Sequence, residues 1–477
     1  LELEIMIKPN SPAANGLKKT ALASAFVAVL AVAGGANVAH AADDGTLTWN
    51  GITLYGTLDV GVAYQNHGAP LSDDYYVGLD YLVQKNGRKA ITSVAPSGLS
   101  QSKVGIKGLE PLTDDLSAVF NVEMGFNPTS GKISDALQSM VNNNGKPVNQ
   151  QSVNGDGSRA GQVFNGPAFL GLSSKTFGTL TAGRQNSVLI DDINKYDPQG
   201  GSYAFSVIGF SGAAGGMGNT QNVRLDDALK YNYSHDWLRV AALYQFGHTG
   251  DSGNGRDAAQ IDVGFDYAGF SVDGFYGYKN SAVGASPLSA AQLATAGVPS
   301  DSLAATISDT EAYALMASYT LGPVKFSGGY DHITYSNPDH PLQAGFSGLG
   351  GYDFSFVNNN AYPFEKKLQV SWFGAKYTIT KEWSLTGAVY HYDQNDYHSV
   401  NQTINGQTVA VRAPCSNNSA GSCSGTLNAY SLVADYRFTK RFDVYGGAMY
   451  SEVEDGLANG YLHPSNMNVM VGARFSF

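Results

Sequence analysis

The side chains of this sequence that could act on a ligand are charges, spaced as a field and not as a catalytic set. Between Gln185 and Arg224 a long connection carries Asp191, Asp192, Lys195 and Asp197 near its start, then no charged residue before Arg224. Basic residues stand in the alternating stretches around it: Lys103 and Lys107 in Ser102-Lys-Val-Gly-Ile-Lys-Gly108, Arg184 at the end of Phe177-Gly-Thr-Leu-Thr-Ala-Gly-Arg184, and Arg224 itself. Such charges sort ions and polar solutes where low-dielectric walls focus their field. Ser, His and Asp are plentiful, yet no nucleophile elbow or other local catalytic signature joins them. His391 and His398 read as loop or interface residues, and no cofactor is implied. Cys415 and Cys423 share one stretch rich in Asn, Ser and Gly. No His stands close enough for a zinc spacing, and export would favour a disulfide that staples one surface loop.

The elements that must position these charges are strands. Residues 51–62 alternate with period two: Leu54, Leu58, Val60 and Val62 share one face, and Thr53, Tyr55, Thr57 and Asp59 share the other. Similar segments recur at 98–108, 115–127, 163–173, 177–186, 224–235, 237–247, 257–267, 269–280, 309–320, 323–335, 366–379, 382–393, 427–438, 441–452 and 467–477, making sixteen with the first. Their links are sorted by length. Short ones fall at 110–114, 174–176, 235–236, 268–269, 321–323, 380–381 and 439–440; long polar ones such as 66–97, 128–162, 281–308, 336–365 and 394–426 alternate with them. An even strand number with short turns at one end and long loops at the other is the pattern of an outer-membrane barrel. Closure pairs every backbone group and removes the edges, which a bilayer requires. Roughly 9–11 residues of tilted strand cross the hydrocarbon, and about sixteen strands enclose an aqueous lumen.

The fold class expected is therefore all-β, a 16-stranded antiparallel transmembrane β-barrel with a constriction loop folded into the pore. The connection after Gln185 is the candidate loop, because structureless links of that length tend to be functional. Alternation turns Lys103 and Lys107 inward, opposite Val104 and Ile106, and Arg224 inward when Leu229, Tyr231 and Tyr233 face out. Strict alternation would instead turn Arg184 to lipid, at roughly 2–4 kcal/mol near the midplane, so a bulge or twist is expected at Gly183. The last strand puts Val469, Val471, Ala473, Phe475 and Phe477 on the lipid face.

Composition bounds the rest. The chain has 477 residues, 14% of them charged, and a formal net charge of −11. That balance argues against a nucleic-acid partner, which calls for a basic face, and suits soluble exposed loops. Lys18 and Lys19 precede an apolar core, 21–33, followed by Ala39-His40-Ala41 as a cleavage pattern. The expectation is a signal peptide over 1–41, with 1–5 before Met6 an over-called start, and a mature barrel over 42–477.

Several stretches together resemble the Gram-negative general porins, of the neisserial and β-proteobacterial type. They are Thr53-Leu-Tyr-Gly-Thr-Leu-Asp59, Ser102-Lys-Val-Gly-Ile-Lys-Gly108, Ala118-Val-Phe-Asn-Val-Glu-Met-Gly-Phe126, Ala168-Phe-Leu-Gly-Leu-Ser173, Phe177-Gly-Thr-Leu-Thr-Ala-Gly-Arg-Gln185 and the terminal Phe477. The resemblance implies homotrimers of sixteen-stranded barrels in the outer membrane, with the third long loop as an eyelet. It also implies a basic wall of Lys103, Arg184 and Arg224, with Lys107 nearby, facing loop acids drawn from Asp191, Asp192 and Asp197. Two departures stand out: Gly166-Pro167 replace an Arg-Gln pair, and the distal eyelet loop carries no acid. The function expected is passive diffusion of small hydrophilic solutes and ions, with weak anion preference. The alternatives are a substrate-specific channel, in which 200–223 forms an apolar slide, and a barrel enzyme.

Overall fold

The computed structural model describes residues 47–75, 87, 89–154, 158–208, 223–247, 257–413, 415 and 420–477. The signal peptide expected over 1–41 and the tip of the long connection, 209–222, lie outside the described residues.

Sixteen antiparallel staves close into a barrel. They are β1 (Ile52–Gly68), β2 (Lys103–Pro111), β3 (Leu116–Gly125), β4 (Ala168–Ser174), β5 (Gly178–Asn186), β6 (Arg224–His235), β7 (Leu238–Gln245) and β8 (Ala258–Tyr267). There follow β9 (Phe270–Ser286), β10 (Leu303–Leu321), β11 (Val324–Ser336), β12 (Lys366–Thr378), β13 (Trp383–Gln394), β14 (Gly425–Arg437), β15 (Phe442–Asp455) and β16 (Ser465–Ser476). The ring shuts where β1 meets β16, Thr57 opposite Ser476 and Gln65 opposite Asn468. Just beyond that ladder, Gly56 and Phe477 exchange backbone hydrogen bonds of 3.0 and 3.1 Å.

Alternation fixes which side chains look out. On β10, Tyr313 and Leu315 are exposed, while Ala312, Ala314 and Met316, which alternate with them, are buried. Short links are tight turns: Ala268 (φ 49°) and Gly269 (φ 86°) both take the left-handed conformation that a two-residue hairpin demands. Aromatic pairs gather near the short-turn end, with Trp237 stacked on Phe265 at 5.4 Å, Phe270 on Tyr319 at 4.1 Å, and Trp383 near Tyr436 at 4.8 Å. Rings at that level suit a membrane–water interface.

The second stave is broken. Lys89–Pro96 pairs with the later half of β1 and β2 with the earlier half. Between them Pro96 lacks an N–H and Ser97 sits at φ 57°. Asp59 repairs the gap: its Oδ2 accepts from the N–H groups of Leu99 (2.8 Å) and Ser100 (2.9 Å), and its Oδ1 accepts from the Tyr445 hydroxyl (2.5 Å).

At the long-loop end, helix α1 (Ala136–Val141) and a hairpin of Phe346–Leu349 with Tyr352–Asn358 bury Leu137, Met140, Phe346 and Phe354 together. Cys415 and Cys423 are joined by a disulfide, and an exposed hairpin, Ser399–Ile404 with Gln407–Arg412, precedes it.

Candidate pore constriction

The long connection begins with a helix. Ser187 caps α2 (Val188–Tyr196) by accepting from the Ile190 N–H at 3.1 Å, Asp191 lies in its first turn, and Lys195 in its last. Both charges complement the helix dipole. The face formed by Val188, Leu189, Ile190, Ile193 and Tyr196 is buried against the inner wall, in contact with β7, β8, β10 and β11.

Beyond the helix the chain stays on that wall. Asp197 accepts from the N–H groups of Gln199 (3.1 Å) and Gly201 (2.9 Å) and from the Tyr390 hydroxyl (2.8 Å). Gly200 (φ 63°) and Gly201 (φ 73°) make the sharp turn this requires. Trp372 donates to the Tyr196 carbonyl, Gln199 to Ser431, and the Tyr392 hydroxyl to the Val207 carbonyl. Ser202 and Ala204 both donate to the Gly98 carbonyl at 2.9 Å, inside the break of the second stave. Tyr203, Ala204, Phe205, Val207 and Ile208 are all buried, Phe205 with its ring edge-on to Tyr445. The segment thus packs on the wall from β7 to β15, while a cavity remains along inward residues of β1 to β6.

The open wall carries basic groups, most of them already engaged. Lys103 pairs with Glu123 at 2.7 Å, and the fully buried Arg159 pairs with the same carboxylate at 3.0 Å while donating to Asn165 and Gln101. Tyr55 donates to Asn121 at 2.8 Å, and Lys107 lies 5.4 Å from the centre of its ring. Lys107 makes no ion pair among the described residues. A cavity of about 530 Å³ opens beside it, lined by Thr53, Asn121, Thr181, Asp191 and Lys230 among others.

Arg184 stands where the β5–β6 register slips between Gly183 and Gln185, with Gly183 at φ 126°. Its guanidinium pairs with Asp226 at 2.5 Å and donates to the carbonyls of Gly166, Asn165 and Ser158. Arg224 donates to the Ser158 hydroxyl at 3.0 Å. The four basic residues therefore share one wall, and segment 158–166 ties Arg184 and Arg224 together.

The loop acids lie on other business. Asp191 pairs with Lys230 at 2.5 Å at the margin of the open cavity. Asp192 is buried beside Asp262 of β8 and Asp273 of β9. Burial first, then the carboxylates of Asp262, Asp273 and Asp191, push the Asp192 carboxyl up to about 9. Burial also raises Asp197, against the lowering effect of its hydrogen bonds. Of the three acids only Asp191 reaches the cavity that Lys107 lines.

Glu123, Lys230 and Arg159 are charged residues at the site that the sequence reading did not single out. Glu123 and Lys230 could have been found, since period-two alternation turns them inward with Asn121 and Asn232. Arg159 could not: it comes from an irregular segment, and nothing local announces its salt bridge to Glu123.

Comparison with known proteins adds an independent line. The sequence model of a family described as Gram-negative porin matches residues 24–456. The chain is 28% identical over 251 residues to an outer membrane porin protein of Bordetella pertussis, covering 52% of each chain. It is 26% identical over 289 residues to outer membrane porin protein 32 of Delftia acidovorans, covering 60% of this chain and 65% of that one. The matches therefore span about half to two thirds of these curated relatives. Among solved structures, an anion-selective porin from Comamonas acidovorans superposes with a TM-score of 0.57 at 17% identity, covering 89% of this chain and 99% of its own. That likeness supports the fold.

Proposed function

We propose that this chain, which belongs to the Gram-negative porin family, forms a water-filled pore for passive diffusion of small hydrophilic solutes and ions. Its place is the outer membrane of a Gram-negative bacterium. One observation carries the proposal: a closed barrel whose long connection is packed on one inner wall, leaving the opposite wall lined by polar and basic groups. Flux through such a gap needs no catalytic group, and we assign none.

Selectivity follows from which charges remain uncommitted. Lys103, Arg184 and Lys230 are each held by a carboxylate, so the field at the gap rests mainly on Lys107, supported by Arg224. The preference is anionic and weak. Of the candidate apolar slide over 200–223, residues 203–208 are turned into wall packing and 209–222 lie outside the described residues; the packed part favours a general pore over a substrate-specific one.

A trimer is part of the same proposal. The outward faces of β2 to β5 present Ile106, Leu170, Leu172 and Leu180, exposed and apolar, with no tyrosine among the outward positions. A flat face of this kind suits contact with copies of the same chain. The test is a planar-bilayer recording of refolded protein in a salt gradient. A reversal potential of anionic sign, with closures in three steps, is expected; a clear cation preference would overturn the selectivity assignment, and single-step closure the trimer.

A further inference from the structure

The wall that the loop covers contains a group of carboxylates that pore electrostatics does not explain. Asp192 comes from α2, Asp262 from β8 and Asp273 from β9, and one oxygen of each lies within 4.8 Å of the others. Asp192 is 8% exposed and Asp262 3%. Neither Asp192 Oδ2 nor Asp262 Oδ1 has a hydrogen-bond partner. Buried carboxylate oxygens are normally paired with a donor or a metal; Asp331, Asp353 and Asp435 also carry such oxygens, but among the described residues only Asp192 and Asp262 share their place with a third carboxylate.

The neighbouring cations pair with Asp273 and with acids outside the trio, not with Asp192 or Asp262. Lys195 holds Asp273 Oδ2 at 2.9 Å, and Arg239 holds Asp273 Oδ1 at 2.8 Å while also pairing with Asp266. Lys230 holds Asp191. Five carboxylates, Asp191, Asp192, Asp262, Asp266 and Asp273, and four bases, Lys175, Lys195, Lys230 and Arg239, line one cavity of about 600 Å³.

We propose that Asp192, Asp262 and Asp273 bind a divalent cation of the calcium class, which fastens the constriction helix α2 to the barrel wall. The donors are all oxygens, which select hard cations over zinc or copper. Calcium accepts irregular geometry and shared ligands, whereas magnesium demands a near-octahedral shell. Water in the adjoining cavity completes the coordination. The lysine and arginine on Asp273 weaken the site, so its dissociation constant belongs with the weaker calcium sites, roughly 10⁻⁴–10⁻³ M.

The proposal rests on α2 being the constriction helix of a channel, and its test is independent of conduction. Folded, detergent-solubilised protein is stripped with a chelator and titrated with terbium, whose luminescence Tyr196, in contact with Ser271 on β9, can sensitise. Calcium is then added in competition. A saturable signal displaced by calcium is expected, weakened at least tenfold in Asp192→Asn and in Asp262→Asn and unchanged in Asp74→Asn, which alters an acid in a long loop. Circular dichroism confirms that each variant is folded. As a second measurement, calcium should raise the unfolding temperature of the unaltered protein. No signal and no thermal shift up to about 10 mM calcium, ten times the weak limit, would overturn the site, as would undiminished binding in both variants. A protein that binds calcium yet conducts no ions would sink the channel reading and leave the site standing.

Discussion

The two inner walls of the barrel are built from the same alternating code yet carry different chemistry. From β1 to β6 the inward positions hold Thr53, Lys107, Asn121, Thr181 and Lys230 along an open cavity, with Tyr55, Lys103 and Glu123 close by. From β10 to β15 they hold Ala312, Ala314, Met316, Val370, Trp372 and Tyr445, an apolar surface sealed by α2 and its continuation. Large apolar side chains enter the inward face where the loop packs, among buried polar groups such as Ser327 and Asp331. The chemistry of each wall therefore records where the loop lies.

Three changes would break or sharpen this contrast. The largest effect is expected on the covered side. Phe205→Ala should leave a cavity between loop and wall, destabilising the packed loop by about 3–5 kcal/mol, read as a lower denaturant midpoint and a noisier, wider channel. On the open side, Lys107→Glu should leave stability unchanged and move the reversal potential toward cations. Each unit of charge at contact distance in water is worth about 1 kcal/mol, so this two-unit reversal is worth about 2 kcal/mol, roughly thirtyfold in the permeability ratio. A loss of stability as large as that of Phe205→Ala would show that the two walls do not divide packing and selectivity in this way. Smallest of all, Cys415→Ser with Cys423→Ser should leave conductance and selectivity unaltered and increase only proteolytic nicking of the loop that the disulfide closes.

Much of the barrel was legible because its signals are local. Period-two alternation marks each stave, link lengths sort the two ends, and the glycine at 183 marks the register slip beside Arg184. The partners of the charges were not legible, because a salt bridge such as Arg159–Glu123 depends on where an irregular segment returns to the wall. The same holds for Asp192. Its place on the helix fits the amphipathic pattern, but its burial beside Asp262 and Asp273 is decided by the wall that α2 chooses. Likewise Asp59 reads as one more polar strand residue, and only the break in the second stave shows it joining β1, residues 99 and 100, and Tyr445.

The seam between β1 and β16 sets the order of events as this chain folds. Gly56 bonds to the last residue, Phe477, and the Tyr445 contact with Asp59 spans a separation of 386 positions. Bonds between such remote partners form slowly, because the intervening chain must first be organised. Until the final strand docks, both borders of the growing sheet expose unpaired backbone that invites mispairing with other chains. Strand β16 is therefore the keystone of the ring: it pairs with β15 on one side and β1 on the other, so both edges find their partner through it.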